Sequence, residues 1–342
     1  MLTFIRKLPS LGMATLAITA LLAKPALADT SHQPDIPAAE HGPIGVMQDH
    51  MHDKGEWMLS YRYMHMDMGG NRIGSQSITI EETLDQFMVA PTDMKMDMHM
   101  LGAMYGISDR ITAAVMVPHI KNSMDHVTRM GGQFNTSTDG VGDIKVSAMI
   151  SLVKQVNHRL HAMIGVSLPT GPIGERAAIP INPDAQLPYP MQLGSGTWDI
   201  TPGITYTGTS EQFYWGAQAS AVIRTGTNSR NYSLGDQVQL TAWSMFRLTP
   251  AFDVGLRATY THWGTVDGAD PELMPMLVQT ANSALQGGDR IDLSLALNFQ
   301  VQNGVLKGHR LAAEIIRPIY QNLNGPQMEQ NWSFIIGWQK AF

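Results

Sequence analysis

The chain has 342 residues, of which 15% are charged, 32 are Gly, 24 are Met and none is Cys. The absence of cysteine excludes disulfides, Cys-ligated zinc, iron–sulfur clusters and thiol nucleophiles. The formal net charge of −6 excludes the basic footprint of a nucleic-acid-binding protein. A bundle of membrane helices is also excluded, because each span needs about 20 consecutive apolar residues and the sequence has no such run.

Residues 1–28 are predicted to be a signal peptide that is removed on export. Arg6 and Lys7 form a charged start, Leu11 to Ala23 is a short apolar stretch, and Ala26-Leu27-Ala28 is a small-residue cleavage site. An uncleaved membrane anchor is the alternative, but the apolar stretch is too short for it. The mature chain is therefore expected to leave the cytoplasm.

Most of the mature chain alternates apolar and polar residues in segments of about 10, which is typical of strands in a transmembrane β-barrel. Six apolar residues alternate in this way from Ile291 to Val301, with Asp292 and Asn298 among the residues between them. One face of such a strand meets lipid and the other meets a polar interior. We predict twelve strands, at 56–67, 94–106, 110–120, 142–154, 160–168, 197–207, 213–224, 237–248, 252–262, 290–301, 309–319 and 331–342.

The connections between these strands alternate in length, as they do in bacterial outer-membrane barrels with both termini in the periplasm. Short turns are expected near 107–109, 155–159, 208–212, 249–251 and 302–308. Long loops are expected near 68–93, 121–141, 169–196, 225–236, 263–289 and 320–330. The predicted fold is therefore an all-β, transmembrane antiparallel barrel over residues 56–342, located in the outer membrane.

The C-terminus agrees with this fold. Trp332, Phe334, Ile336 and Trp338 alternate up to the final Phe342, and the pattern resembles the end signal by which outer-membrane barrels are recognised for insertion. An exported soluble β-sandwich is the alternative, but its outer faces would carry more Lys and Glu than these segments do.

Four stretches carry a resemblance to a known family. They are GISDRITAAVMVPHI (106–120), GVGDIKVSAMISL (140–152), SLPTG (167–171) and GSGTWDITPGITYTG (194–208). They resemble the outer-membrane transporter family named after the meta-pathway of phenol degradation, over roughly residues 100–342. The resemblance implies a channel for small organic molecules. The Met- and His-dense stretch 41–68 is similar to outer-membrane copper-resistance proteins in composition only.

Methionine is concentrated on the inward-facing positions of the first two predicted strands, which should pair and form one methionine ladder along the wall. Thioethers are soft ligands suited to Cu(I) or Ag(I), and neighbouring imidazoles also suit Cu(II). Met equally fills irregular interiors or offers apolar solutes a sliding surface. Both interpretations stay open, and no cofactor is required. The candidate metal ligands are His50, Met51, His52, Met64, Met66, Met96, Met98 and Met100.

Residues 29–55 lack strand alternation and contain several His and Met residues. We expect this segment to be a Met/His-rich periplasmic arm or a plug in the barrel, and a flexible tether is the alternative.

The predicted lumen contains charges of both signs, which argue against a strongly ion-selective channel. These charges either line a narrow aqueous path or pair and close the lumen. The candidate lumen-lining residues are Arg62, Lys145, Asp199, Arg224, Arg247, Arg257, Asp292 and Glu314.

The sequence lacks G-x-S-x-G, H-E-x-x-H and P-loop motifs, so no enzyme is predicted. The predicted function is an outer-membrane channel or transporter that passes small organic molecules by diffusion, including apolar or aromatic compounds. The alternatives are a copper- or silver-binding protein of metal resistance or efflux, and a closed-lumen structural or adhesive barrel. The expected partners are outer-membrane lipids and a small-molecule or metal-ion substrate, without nucleic acid. The oligomeric state is left open.

Overall fold

The computed structural model of the protein describes residues 41–342, which form a closed antiparallel β-barrel. The predicted signal peptide and residues 29–40 lie outside the described residues. Within 41–342, no helix combines the length and the apolar character needed to cross a bilayer.

The described residues form eighteen strands, one α-helix and three short 3-10 helices. The helices are α1 (Ile80–Gln86) and the 3-10 helices Tyr189–Met191, Gln279–Ala281 and Ser283–Leu285. The strands are β1 (Trp57–Gly74), β2 (Gln76–Ile78), β3 (Val89–Ser108), β4 (Ile111–Thr128), β5 (Gln133–Val141), β6 (Ile144–Lys154), β7 (His158–Leu168), β8 (Arg176–Ile179), β9 (Asn182–Gln186), β10 (Trp198–Ile200), β11 (Gly203–Thr209), β12 (Phe213–Thr225), β13 (Tyr232–Ser233), β14 (Gln237–Thr249), β15 (Phe252–Trp263), β16 (Asp267–Gly268), β17 (Gly288–Gln300) and β18 (His309–Ala341).

The wall of the barrel has twelve strand positions within the described residues. β18 supplies two of them, because its first half pairs with β17 and its second half pairs with β1. β10 and β11 together fill one position, since both pair with β7 and β12 and are separated only at Thr201-Pro202. Proline cannot donate to a sheet ladder, which accounts for that interruption. Pairing of β12 with β14 closes the wall, and the predicted barrel of about twelve strands is confirmed.

Side chains alternate between lipid and lumen as predicted. On β17, Leu293 and Leu295 are each 47% exposed on the outer surface, whereas Asp292 and Ser294 are each 6% exposed on the inner face. The apolar outer face meets lipid and the polar residues point inward, so the period of two in the sequence fixes which side of each strand contacts the membrane.

The two ends of the barrel differ. At one end, here called the turn end, short turns join β3 to β4, β6 to β7, β11 to β12, β14 to β15 and β17 to β18. The start of β1 also lies there, where the Trp57 amide nitrogen donates to the Phe342 carbonyl oxygen at 3.2 Å. The opposite end, here called the loop end, bears the long connections with β2, α1, β5, β8, β9, β13 and β16. The turn end is the end that we predict to face the periplasm.

Heat-modifiable migration on SDS gels is expected for the purified protein. A closed wall has no free strand edge, so the folded barrel resists detergent until it is heated. Unheated and boiled samples should therefore run at different positions. Equal migration of both samples, with recovery of the protein in the soluble periplasmic fraction, would contradict an integral barrel.

Candidate functional site

Residues 41–55, here called the plug, enter the lumen at the turn end. Their backbone carbonyl oxygens accept hydrogen bonds from side chains on three separate parts of the wall, in β1, β7 and β12. The bonds run from Arg62 Nε to Ile44 O at 3.0 Å, from Gln218 Nε2 to Met47 O at 2.9 Å and from His161 Nε2 to Gln48 O at 3.0 Å. Such bonds hold a chain without regular secondary structure in a defined path, because each satisfies a buried carbonyl.

A glycine allows the plug to approach the wall closely. The Gly45 amide nitrogen donates to Glu314 Oε2 at 2.8 Å, and Arg257 Nε donates to Glu314 Oε1 at 2.6 Å. A β-carbon at position 45 would lie 2.6 Å from Arg257 Nη2 and 2.7 Å from Glu314 Oε2. Any other residue at position 45 would therefore have to displace the side chains of this buried ion pair.

Apolar contacts hold the plug on two sides. Ile44 packs with Ala312, Ile316 and Ile335 of β18, and Met64 lies against this group. A second set joins the plug to β12, β14 and β17. Its members are Val46, Tyr214, Trp243, Met245 and Ala296.

Three histidines of the plug lie together at the turn end and form what is here called the imidazole cluster, His41, His50 and His52. The ring centroids of His41 and His50 are 4.5 Å apart, and those of His50 and His52 are 5.0 Å apart. Asp49 accepts from His50 Nδ1 at 2.7 Å through Oδ1 and from the Gly42 amide at 2.6 Å through Oδ2. The cluster borders a cavity of 360 Å³ at the turn end.

Burial favours the neutral form of two imidazoles in the cluster, those of His41 and His52. Burial, followed by the neighbouring His50, lowers the pKa of His41 well below its ordinary value. The same two causes lower the pKa of His52 to about 4. Burial raises the pKa of Asp49, but the charge of His50 and its hydrogen bond outweigh burial and hold that pKa below its ordinary range. Neutral imidazole nitrogens next to a carboxylate are suited to bind a cation.

A second cavity, here called the mouth cavity, lies among the loops at the loop end and has a volume of 520 Å³. Its apolar lining comes from the start of β3, from β5 and from the 264–287 connection. The residues are Val89, Phe134, Leu273, Leu277, Val278 and Ala281. No periodicity in the sequence indicates that these residues meet, so this cavity could not be predicted.

Methionines lie below the mouth cavity. Met94 and Met124 pack with Leu187 and Met191, and Met68 and Met328 lie against them. This group is here called the upper methionine cluster. Leu187 also lines the mouth cavity, so the cavity and the cluster are contiguous.

The predicted ladder residues are register partners across β1 and β3. Met64 lies opposite Met98, and Met66 lies opposite Met96. Met100 lies opposite Arg62. At the turn end, Met51 of the plug packs against a lower methionine cluster, which comprises Met58, Met104, Met149 and Met163 together with Ala114.

Of the predicted metal ligands, the structure therefore brings together His50 and His52 in the plug, and Met64, Met66, Met96 and Met98 on the wall. Met51 belongs to the apolar packing of the lower cluster. His41 and Asp49 were outside the predicted ligand set, although both occur in the same short segment. The plug bends back and brings residue 41 to residue 50, a path that the sequence does not indicate.

Most of the predicted lumen-lining charges are paired along the wall. Arg257 pairs with Glu314, and Asp199 pairs with Arg224. Arg247 Nε lies 3.7 Å from Asp253 Oδ1, and Arg290 Nε lies 2.9 Å from Asp292 Oδ2. Each pair joins residues within one strand or on adjacent or next-adjacent strands.

Two predicted lumen-lining residues have a different role. Arg62 is buried and holds the plug carbonyl of Ile44. Lys145 is exposed to a cavity of 240 Å³ that also touches Met47 and Gln48 of the plug.

Comparison with known proteins agrees with this architecture. Residues 69–305 match the model of the family described as "MetA-pathway of phenol degradation". The chain belongs to this family. No curated protein sequence matches it.

Solved structures of two other outer-membrane proteins have a similar fold. An outer-membrane channel from Pseudomonas putida F1 is 13% identical, with a TM-score of 0.60 over 87% of this chain and 100% of that one. The transport unit of the autotransporter AIDA-I from Escherichia coli is 10% identical, with a TM-score of 0.50 over 87% of this chain and 94% of that one. The protein is thus an integral outer-membrane β-barrel, and its exterior contacts membrane lipids.

Proposed function

We propose that the protein is a channel, and not an enzyme, through which small apolar organic molecules cross the outer membrane by diffusion. The mouth cavity is the observation that carries this proposal. Its volume of 520 Å³ falls within the range of small-molecule sites, and its lining is mainly apolar. Family membership and the channel from Pseudomonas putida F1 support the same class of function.

The contents of the lumen support a path for apolar rather than ionic solutes. An apolar molecule leaving the mouth cavity meets the upper methionine cluster, beginning at Leu187. Methionine side chains are flexible and polarizable, so they can repack around a passing molecule. The paired charges lower in the barrel have both signs, which argues against ion selection by a ring of one sign.

The plug is the barrier at the turn end. Its hydrogen bonds and apolar contacts hold Ile44 and Val46 against the wall inside the lumen, and we infer that the plug closes the lumen at this level. Transport therefore requires the plug to shift, whereas entry into the mouth cavity does not. Binding at the loop end and release at the turn end are separate steps in this proposal.

Replacing Leu277 with Asp is expected to weaken capture of apolar molecules at the mouth cavity. A carboxylate in this lining must be solvated, so an apolar ligand loses contacts there. A loss of about 1.4 kcal/mol of binding free energy corresponds to a tenfold higher Kd. The measurement is the initial rate of uptake of a radiolabelled aromatic hydrocarbon by cells that express Leu277→Asp or the unaltered chain.

Met276→Asp is the matched control. Met276 is the preceding residue in the same loop and is 68% exposed, so the same new charge there points to solvent. Its uptake rate should equal that of the unaltered protein. The proposed route would be overturned if Leu277→Asp and Met276→Asp gave the same uptake rate. It would also be overturned if cells without the protein took up the hydrocarbon as fast as cells that express it.

A further inference from the structure

Among residues 41–342, three buried imidazole nitrogens in the plug have no hydrogen-bond partner. They are His41 Nδ1, His50 Nε2 and His52 Nε2. A buried polar atom without a partner costs free energy, and three within neighbouring rings call for a common explanation. A metal ion that accepts lone pairs from these nitrogens supplies one.

The hydrogen bonds around His50 have the arrangement found at metal sites. Asp49 Oδ1 accepts from His50 Nδ1, which leaves the lone pair on His50 Nε2. Metal-binding histidines are usually oriented in this way by a carboxylate on the other ring nitrogen. His41, Asp49 and His50 each offer a ligand atom, and these atoms all lie within 4.8 Å of one another.

We propose that the imidazole cluster is a binding site for one divalent transition-metal ion, with His41 and His50 as ligands and His52 as the third. Neutral imidazoles suit Zn²⁺ and related divalent ions, and three histidines leave a coordination position open. The 360 Å³ cavity beside the cluster gives an ion access from the turn end. This donor set differs from the thioether ladder, which would select soft monovalent ions.

The bound ion would lock the plug. His41 lies at one end of the loop and His50 at the other, and the residues between them contact the wall on several sides. An ion bound by both ends closes this loop, so the plug must move as a unit or release the ion. This regulatory role rests on the proposed channel function, whereas metal binding itself does not.

Calorimetric titration of Zn²⁺ into the metal-stripped, full-length barrel without a polyhistidine tag tests the site. One ion per chain is expected to bind. His41→Ala and His50→Ala should abolish that binding, and Asp49→Asn should weaken it by about 10- to 100-fold, as expected for loss of an orienting carboxylate. Because the strands of the wall do not include the plug, these variants should still form the barrel. Heat-modifiable migration on SDS gels checks that each variant is folded.

Two controls separate this site from others. His262→Ala removes an exposed histidine whose Nδ1 lies 2.9 Å from Asp289, and it should leave Zn²⁺ binding unchanged. The combined change of Met64, Met66, Met96 and Met98 to Leu should also leave it unchanged, because Leu and Met exchange at small cost and only the sulfur is lost. Absence of saturable binding, or binding that survives His41→Ala and His50→Ala, would overturn the site. Loss of binding in the Leu variant would assign the metal to the ladder instead.

The proposal that a bound ion restrains the plug can be tested by a measurement that does not depend on uptake. A single cysteine introduced at Ala296, beneath Val46 of the plug, should react more slowly with a maleimide when Zn²⁺ is present. Zn²⁺ binding without any change in that rate would overturn the lock. If the protein failed to take up aromatic hydrocarbons, the proposed channel function would be wrong. The results on Zn²⁺ binding and on the labelling rate at position 296 would not be affected.

Discussion

A cysteine at position 296 is expected to react slowly with a polar maleimide in the intact protein and to react like a surface cysteine when residues 29–52 are deleted. Ala296 is fully buried on the inner face of β17, where it packs with Val46, Tyr214 and Trp243. Val46 is the plug residue in that group. Removing the plug exposes position 296 to water from the turn end, and thiol reactivity follows exposure.

The measurement benefits from the absence of native cysteine, because every labelled thiol is the introduced one. Val305→Cys, in the exposed turn between β17 and β18, gives the reference rate for an unprotected thiol. The labelling rate at position 296 should rise on deletion from a small fraction of that reference rate to nearly the full rate. Protection that persists without residues 29–52 would show that the wall side chains close the lumen on their own.

The wall of the barrel was predictable because each strand has to satisfy two environments. Leu293 and Leu295 alternate with Asp292 and Ser294, and a strand between lipid and a polar lumen allows no other assignment of faces. The residues at which individual strands end were less predictable. Alternation stops where strands extend beyond the membrane, so β1 was expected to end at 67 and continues to Gly74.

The candidate sites were only partly predictable, since they depend on segments without periodicity. His50 and His52 were singled out by composition, but the approach of His41 depends on the path of the plug. That path is set by single contacts, such as Gly45 against Glu314. The mouth cavity is assembled from separate loops, and nothing in the sequence around Leu273 or Leu277 indicates that they meet Val89.

Glu314→Ala is expected to cause a large loss of stability. The Glu314 side chain is buried and accepts from Arg257, Ser294 and the Gly45 amide. Its removal leaves the Arg257 charge buried without its partner, which typically costs about 3–5 kcal/mol. The free energy of unfolding in guanidinium, measured by tryptophan fluorescence in detergent, should fall by that amount.

Two further variants test whether this loss of stability comes from the unpaired charge of Arg257. Glu272→Ala removes an exposed partner of Arg176 and Arg230 at the loop end, and exposed pairs contribute at most about 1 kcal/mol. Changing both Arg257 and Glu314 to Leu removes the buried charge together with its partner, so most of the lost stability should return. A double variant as unstable as Glu314→Ala would instead assign the loss to the anchor at Gly45, because that hydrogen bond is absent from both proteins.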